Sequence, residues 1–287
     1  MEFTLNHLLC FGFGFSARTF AAGFDRRAWK ISATSRDEEG IAEISAQGFN
    51  GLLFDNTLQI SPDVTHLLIS APPAENGDPV LRLIQAQLQR LSKQLKWVGY
   101  LSTTGVYGDR GGDWVDEDSP LEPTTVRGWR RLEAERSWLR LHSDFGLPVH
   151  VFRLAGIYGP GRNHLLNVRD GSAKRVIKPG QIFSRIHVED IAGVLAASIA
   201  KPNPGRAYNV CDDEPCPPQD VVEFAANLLG LPLPPEIPFE QAELSPMAKS
   251  FYAESKRVSN KRIKAELGYK LIYPNYREGL TAINSAL

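Results

Sequence analysis

Leu8-Leu9-Cys10-Phe11-Gly12-Phe13-Gly14-Phe15-Ser16-Ala17 is the stretch on which the fold turns. Four apolar residues run into a glycine turn, and small residues after it open an amphipathic segment reaching about Gly23. A short buried strand, a tight turn and a helix make the start of a βαβ unit. Gly12-x-Gly14-x-x-Ala17 occupies the turn. Gly12 permits the tight bend, Gly14 lets backbone approach a pyrophosphate without a Cβ in the way, and Ala17 lets the helix pack closely on the strand. Unpaired N–H groups at the helix start, around Phe15, Ser16 and Ala17, then face phosphate oxygens.

Outward from this turn the alternation continues. Strands are predicted at Trp29–Ala33, Gly51–Phe54, His66–Ser70, Trp97–Leu101 and Val149–Leu154, with helices at Gly40–Gln47, Val80–Ser92 and Gly128–His142 between them. Short apolar strands alternating with helices argue for a parallel sheet covered on both faces. The fold class is therefore α/β, a Rossmann-type doubly wound parallel sheet with a smaller C-terminal substrate lobe. Residues 1–156 are expected to form the dinucleotide-binding domain, with 186–210 returning to it; 157–185 and 211–287 make the lobe. Helices are predicted at His187–Ala200 and Pro218–Leu229. Leu231–Pro238, with four prolines, is expected to form no regular element. Ser259 is read as the cap of a short helix ending at Gly268.

The second strand ends Ala33-Thr34-Ser35-Arg36. Sites selective for NAD usually place an acid there to bind ribose hydroxyls. Here Ser35 and Arg36 point instead to the 2′-phosphate of NADP, with NAD as the alternative and Asp37 as the complicating neighbour. Ser70-Ala71-Pro72 follows a strand at the sheet's carboxyl edge and is expected to line the cofactor, the rival reading being a plain strand-ending turn.

Bulk properties narrow the class. With 32 basic and 33 acidic side chains the net charge is −1, which gives no reason to expect nucleic acid or an anionic membrane as partner. A 43% hydrophobic fraction argues against disorder, and no apolar run approaches the roughly 20 residues of a spanning helix. The start Met1-Glu2 lacks a basic segment, so no leader is expected and the protein is read as cytoplasmic. Cys10, Cys211 and Cys216 make no even framework and read as reduced thiols. No metal-ligand spacing is found among the histidines and cysteines, and no metal is expected.

Later segments, in order, resemble the extended short-chain dehydrogenases/reductases, the group of nucleotide-sugar epimerases and dehydratases. Ser102-Thr-Thr-Gly-Val-Tyr107-Gly108 is similar to the family's serine/threonine segment, and Arg153-Leu-Ala-Gly-Ile-Tyr158-Gly-Pro-Gly161 to its R-x-x-x-x-Y-G-P-G stretch. Arg185-Ile-His187-Val-Glu-Asp190 is similar to its I-H-V-x-D motif. The resemblance implies a small-molecule substrate and a homodimer formed through the Val80–Ser92 and Gly128–His142 helices. The stripe Leu81-Ile84-Leu88-Leu91 is equally that of a core helix.

The family's tyrosine and lysine depart here. Ser119-Pro-Leu-Glu-Pro123-Thr-Thr-Val-Arg127-Gly128-Trp-Arg-Arg131-Leu-Glu-Ala-Glu135 aligns without a gap and puts Arg127 in place of the tyrosine and Arg131 in place of the lysine. Arginine cannot take up the proton that the tyrosine handles. Thr103 matches the serine/threonine and can orient a substrate oxygen, Arg131 can hold ribose or phosphate, and Arg127, Arg131 and Arg153 can form a cationic pocket. The rival is a solvated helix face of Arg130, Arg131, Arg136 and Arg140 paired with Glu133 and Glu135. Tyr107, Tyr158 and His187 read as packing residues, and Asp113, Asp116, Glu117 and Asp118 as a solvated loop. The expectation is an NADP-dependent oxidoreductase or epimerase with a non-standard proton donor; the alternative is a non-catalytic NADP-binding sensor or regulator.

Overall fold

The computed structural model describes residues 5–286. The chain divides into two compact units, one made of Met1–Ser102, Trp129–Arg153 and Ala192–Tyr208, the other of Thr103–Gly128, Leu154–Ile191 and Asn209–Leu287.

The first unit is built on seven strands: β1 (Asn6–Phe11), β2 (Trp29–Ser35), β3 (Asn50–Leu53), β4 (His66–Ile69), β5 (Trp97–Thr103), β6 (Val149–Leu154) and β7 (Ala207–Val210). They lie in the order β7-β6-β5-β4-β1-β2-β3. The pairings of β1 with β2 and β4, of β2 with β3 and of β4 with β5 are parallel, Cys10 opposite Ala33 and Phe11 opposite Ile69. This is the Rossmann-type sheet, its order reversing at β1. Helices α1 (Phe15–Ala22), α2 (Glu38–Ala46), α3 (Pro79–Leu91), α4 (Val126–Phe145) and α5 (Val188–Ala200) connect the strands. With helices on both faces the central strands are buried throughout, which is why they read as unbroken apolar runs.

The apolar stripe of α3 belongs to this core. Leu81, Ile84 and Leu88 are buried with Trp138 and Leu141 of α4 and with Leu67, Ile69, Val98 and Val149 of the sheet. Asp78 caps α3 by accepting the Val80 and Leu81 amides at 2.8 and 3.0 Å, and its other oxygen accepts the Trp138 indole N–H at 3.1 Å. One buried carboxylate thus starts α3 and ties it to α4.

A second buried carboxylate ties α4 to the sheet. Glu135 is buried and accepts the Ser102 hydroxyl, while Arg153 of β6 donates to it at 3.0 Å. Glu135 is therefore not on the solvated helix face, unlike Glu133, which pairs in the open with Arg136 at 2.8 Å.

The second unit holds three short parallel strand pairs: Gly156–Tyr158 with Arg185–His187, Arg175–Ile177 with Glu236–Pro238, and Trp114–Val115 with Arg257–Val258. The expectation that Leu231–Pro238 forms no regular element is corrected by the middle pair. Pro232, Pro234 and Pro235 precede the strand, Glu236 and Ile237 keep their N–H groups, and Pro238 ends it at an edge where no donor is required. The Arg175 amide begins the pairing by donating to the Pro235 carbonyl at 3.0 Å. Near the C-terminus, the turns at Ile263–Leu267 widen to π-helical geometry and stop at Gly268, whose φ of +68° is left-handed. Tyr158, Leu165, Val222, Ala225, Tyr276 and Leu280 centre this unit's core.

All three cysteines are free and buried; burial raises their thiols, that of Cys216 to about 11, so they stay protonated at neutral pH. Among the described residues no helix is long and apolar enough to cross a membrane.

Glu135→Leu leaves the Arg153 charge buried without its carboxylate and is expected to cost about 3–5 kcal/mol in urea denaturation, most of it recovered in Glu135→Leu/Arg153→Met. A loss within experimental error means that the pair does not anchor α4.

Candidate functional site

The turn after β1 is shaped by what cannot fit there. Gly12 has φ +83°, and a Cβ on it would lie 3.1 Å from the Ala71 backbone nitrogen. The Ser70 and Ala71 amides both donate to the Phe11 carbonyl at 2.9 Å, so the strand ends of β1 and β4 are drawn together over Gly12. The Gly12 amide donates to the Thr34 hydroxyl at 3.0 Å, fastening the turn to β2 as well. Gly14 differs. It is the N-cap of α1 with extended backbone and no side-chain cap, and a Cβ on it would meet nothing within 4 Å. The first amides of α1, at Phe15, Ser16 and Ala17, have no partner inside the helix and start beside this open space. Ser16 and Ala17 are buried and Phe15 is half-buried.

At the end of β2, Asp37 caps α2, accepting the Gly40 amide at 2.8 Å and the Ser35 hydroxyl at 3.3 Å. Oδ1 of its carboxylate is thereby engaged at the helix start. Arg36 is exposed. A dinucleotide fits these residues: open space over a side-chain-free helix N-terminus, a glycine turn closed against the end of β4, and a cation at the end of β2.

The arginines part company. Arg131 is 8% exposed, donates to the Leu101 carbonyl at 2.6 Å and lies 3.4 Å from the Tyr100 hydroxyl, while its Nε has no partner among the described residues. Arg153 is neutralised by Glu135. Arg127 is exposed, with its guanidinium 5.6 Å from the centre of the Phe251 ring. Joined by Glu135, Arg153 is not a free member of a cationic pocket.

In the second unit the Thr103 side chain caps the turn Thr104–Tyr107, accepting the Gly105 amide at 3.2 Å. Tyr107 donates to Asn209 at 2.7 Å and is buried; Tyr158 packs edge-on against His187, and burial raises its phenol above the ordinary range. His187 also packs at a tilt against Tyr273, ring centres 4.1 Å apart, and burial lowers its imidazole. In the acidic loop, Glu117 is buried and accepts the Asn209 amide at 2.8 Å, while Asp118 pairs with Arg262 at 2.7 Å from a solvent-exposed position, so one of its carboxylates is built into the fold.

Close to Thr103 lie residues that motif reading did not single out as a site. Glu254 and Lys256, 9% and 8% exposed, form an ion pair at 2.6 Å. The other oxygen of Glu254 accepts the Thr124 hydroxyl at 2.9 Å. A Cβ on Gly105 would sit 3.5 Å from Thr103 Oγ1 and 4.0 Å from Glu254 Oε2. No short-range pattern marks Glu254-Ser255-Lys256; about 150 residues separate it from Thr103.

Known proteins agree with this architecture. The model of the "NAD dependent epimerase/dehydratase family" matches residues 74–211. A solved structure described as a functionally unknown conserved protein from Silicibacter pomeroyi is 54% identical, with TM-score 0.92, covering 98% of this chain and 99% of that one. Protein YeeZ of Escherichia coli K12 is 28% identical over 279 residues, 92% of this chain and 95% of that protein. The fold is shared by a dTDP-glucose 4,6-dehydratase of Bacillus anthracis, solved with NAD, at TM-score 0.79 and 17% identity over 98% and 96% of the two chains.

The two turn glycines should respond oppositely to serine. Gly12→Ser forces a side chain into left-handed backbone against Ala71 and is expected to cost at least about 1–2 kcal/mol. Gly14→Ser supplies a favoured N-cap and should leave thermal stability unchanged or slightly raised. Equal losses in the two variants, measured by calorimetric melting, would contradict the geometry.

Proposed function

Because residues 74–211 match the model of the NAD dependent epimerase/dehydratase family, we propose that this chain is a member of it, binds a nicotinamide dinucleotide, NADP in preference to NAD, and works as an oxidoreductase or epimerase on a small polar substrate. The observation that carries the reading is the uncapped start of α1 behind Gly14, open to a pyrophosphate. Gly12, Gly14, Phe15, Ser16 and Ala17 cradle the pyrophosphate, and Ser70, Ala71 and Pro72 wall the site at the end of β4. Ser35 and Arg36 receive the 2′-phosphate. Support for NADP comes from Arg36, an exposed cation at the end of β2, and from Asp37 beside it, one oxygen of which is taken up by the α2 cap. The unpartnered Nε of Arg131 is a donor left over at the end of β5 for a ribose or phosphate oxygen.

When bound, the dinucleotide supplies hydride chemistry. The chain's own part is position and proton. Thr103 keeps its hydroxyl proton to donate, because its oxygen accepts from the Gly105 amide; it orients a substrate oxygen. Arg127, exposed where the family resemblance places a tyrosine, holds an anionic substrate group and does not transfer the proton.

Titration calorimetry with NADPH and NADH tests the reading. NADPH should bind more tightly, and Arg36→Ala should erase roughly ten- to a hundredfold of that preference, the worth of a charge-assisted hydrogen bond of about 1.5–3 kcal/mol. Gly14→Ser should lose the dinucleotide while staying folded. Absence of binding by either dinucleotide at millimolar concentration overturns the proposal.

A further inference from the structure

We propose that Glu254, clamped by Lys256 and Thr124 and facing Thr103 across the notch at Gly105, is the proton-transfer group of this protein's reaction. The inference rests on the reading of a dinucleotide-dependent carbonyl or alcohol reaction and names the donor which that reading leaves open.

The notch is the geometric argument. At Gly105 a missing side chain leaves a space bounded by Thr103 Oγ1 at 3.5 Å and Glu254 Oε2 at 4.0 Å. That position is bordered by the hydroxyl and methyl of Thr103 on one side and by a carboxylate on the other. The carboxylate is held rigidly. Oε2 takes the Lys256 ammonium at 2.6 Å, Oε1 takes the Thr124 hydroxyl at 2.9 Å, and the Glu254 carbonyl takes the Gln181 amide at 2.6 Å. Ser255 between them is fixed through its amide to Asp109 at 2.7 Å and through its hydroxyl to the Gly180 carbonyl at 2.8 Å. A group that must hand over a proton benefits from this preorganisation.

A buried ion pair that serves stability alone is poor value, since desolvation cancels much of its attraction. Glu135–Arg153 uses arginine, which does not titrate in the working range; Glu254–Lys256 uses lysine, which does. Burial lowers the Lys256 ammonium most strongly, opposed by the Glu254 and Asp109 charges that raise it, with Arg110 lowering it further; the outcome is below the ordinary lysine value. The pair therefore carries one proton that can leave.

In the reducing direction the carbonyl carbon accepts hydride from reduced nicotinamide dinucleotide, which is oxidised. The C=O π pair moves to oxygen and takes the proton of the Glu254–Lys256 pair. The pair is left as carboxylate and neutral amine, and water restores the proton. Alcohol oxidation runs the same steps backward. Glu254 is the catalytic residue; Lys256 and Thr124 are positioning residues, Lys256 also being the proton's store.

Two readouts decide. Without any dinucleotide, acetic anhydride labelling of Lys256 is followed by peptide mass spectrometry from pH 5 to 10, with exposed Lys201 as internal reference. Its midpoint should lie below that of Lys201 and fall further in Glu254→Gln, which removes a charge that raises it. A midpoint at or above that of Lys201, or unmoved by Glu254→Gln, overturns the proposal. With NADPH and 9,10-phenanthrenequinone as probe carbonyl, Glu254→Gln and the charge-balanced Glu254→Gln/Lys256→Gln should lose at least about a hundredfold in kcat. NADPH affinity should stay within twofold. Lys256→Arg should flatten the limb of the pH profile that belongs to the pair, and Thr124→Ser should retain activity that Thr124→Val loses. Unchanged kcat, or wild-type protein that binds NADPH and leaves the quinone unreduced across this range, overturns the proton group while dinucleotide binding stands. Wild-type protein that binds no NADPH overturns the functional reading beneath it.

Discussion

The carboxyl edge of the first unit depends on the 3.1 Å approach between the Ala71 backbone and the place where a Gly12 side chain would be. Because nothing projects from Gly12, the Phe11 carbonyl can take both the Ser70 and Ala71 amides, and the ends of β1 and β4 close on each other. The turn then lifts Gly14 and the first amides of α1 into open space. The two glycines differ: Gly12 is required by the protein's own packing, whereas a side chain on Gly14 would meet nothing within 4 Å.

Buried charge is used twice, and the chemistry of the cation separates the uses. Glu135 and Arg153 sit among apolar side chains with Ser102, in a closed group that joins a helix to two strands. A permanently charged guanidinium keeps such a group in one state. Glu254 and Lys256 are buried less deeply; they border a notch and include a side chain whose proton burial loosens. The same economy appears in single acids: Asp78 and Asp37 each cap a helix start.

Much of the first unit was legible in the linear chain because its determinants are local. Apolar runs of four to six residues, the glycine turn after Phe11 and the 3.6-residue stripe of α3 each fall within one element, and the observed strands and helices follow them to within a few residues. The family resemblance, carried by motifs spread over the chain, matched the family model and the shared fold. The Glu236–Pro238 strand was not legible, since proline content argued against an element that is made by its pairing partner, Arg175–Ile177.

The sequence by itself determined the α/β class and the place of the glycine turn after β1, since each is written in adjacent or evenly spaced residues. Only the tertiary structure decided which charges are free. Glu133 and Glu135 stand two residues apart, one paired in the open and one sealed in the core; one oxygen of Asp37 is taken up by a cap that the chain forms three residues later. Thr124, Glu254 and Lys256 meet across 130 residues of chain, beside a glycine whose importance is an absence. Charge and hydrogen bonding act through distance in space, and no spacing along a chain encodes a contact that a fold must first bring together.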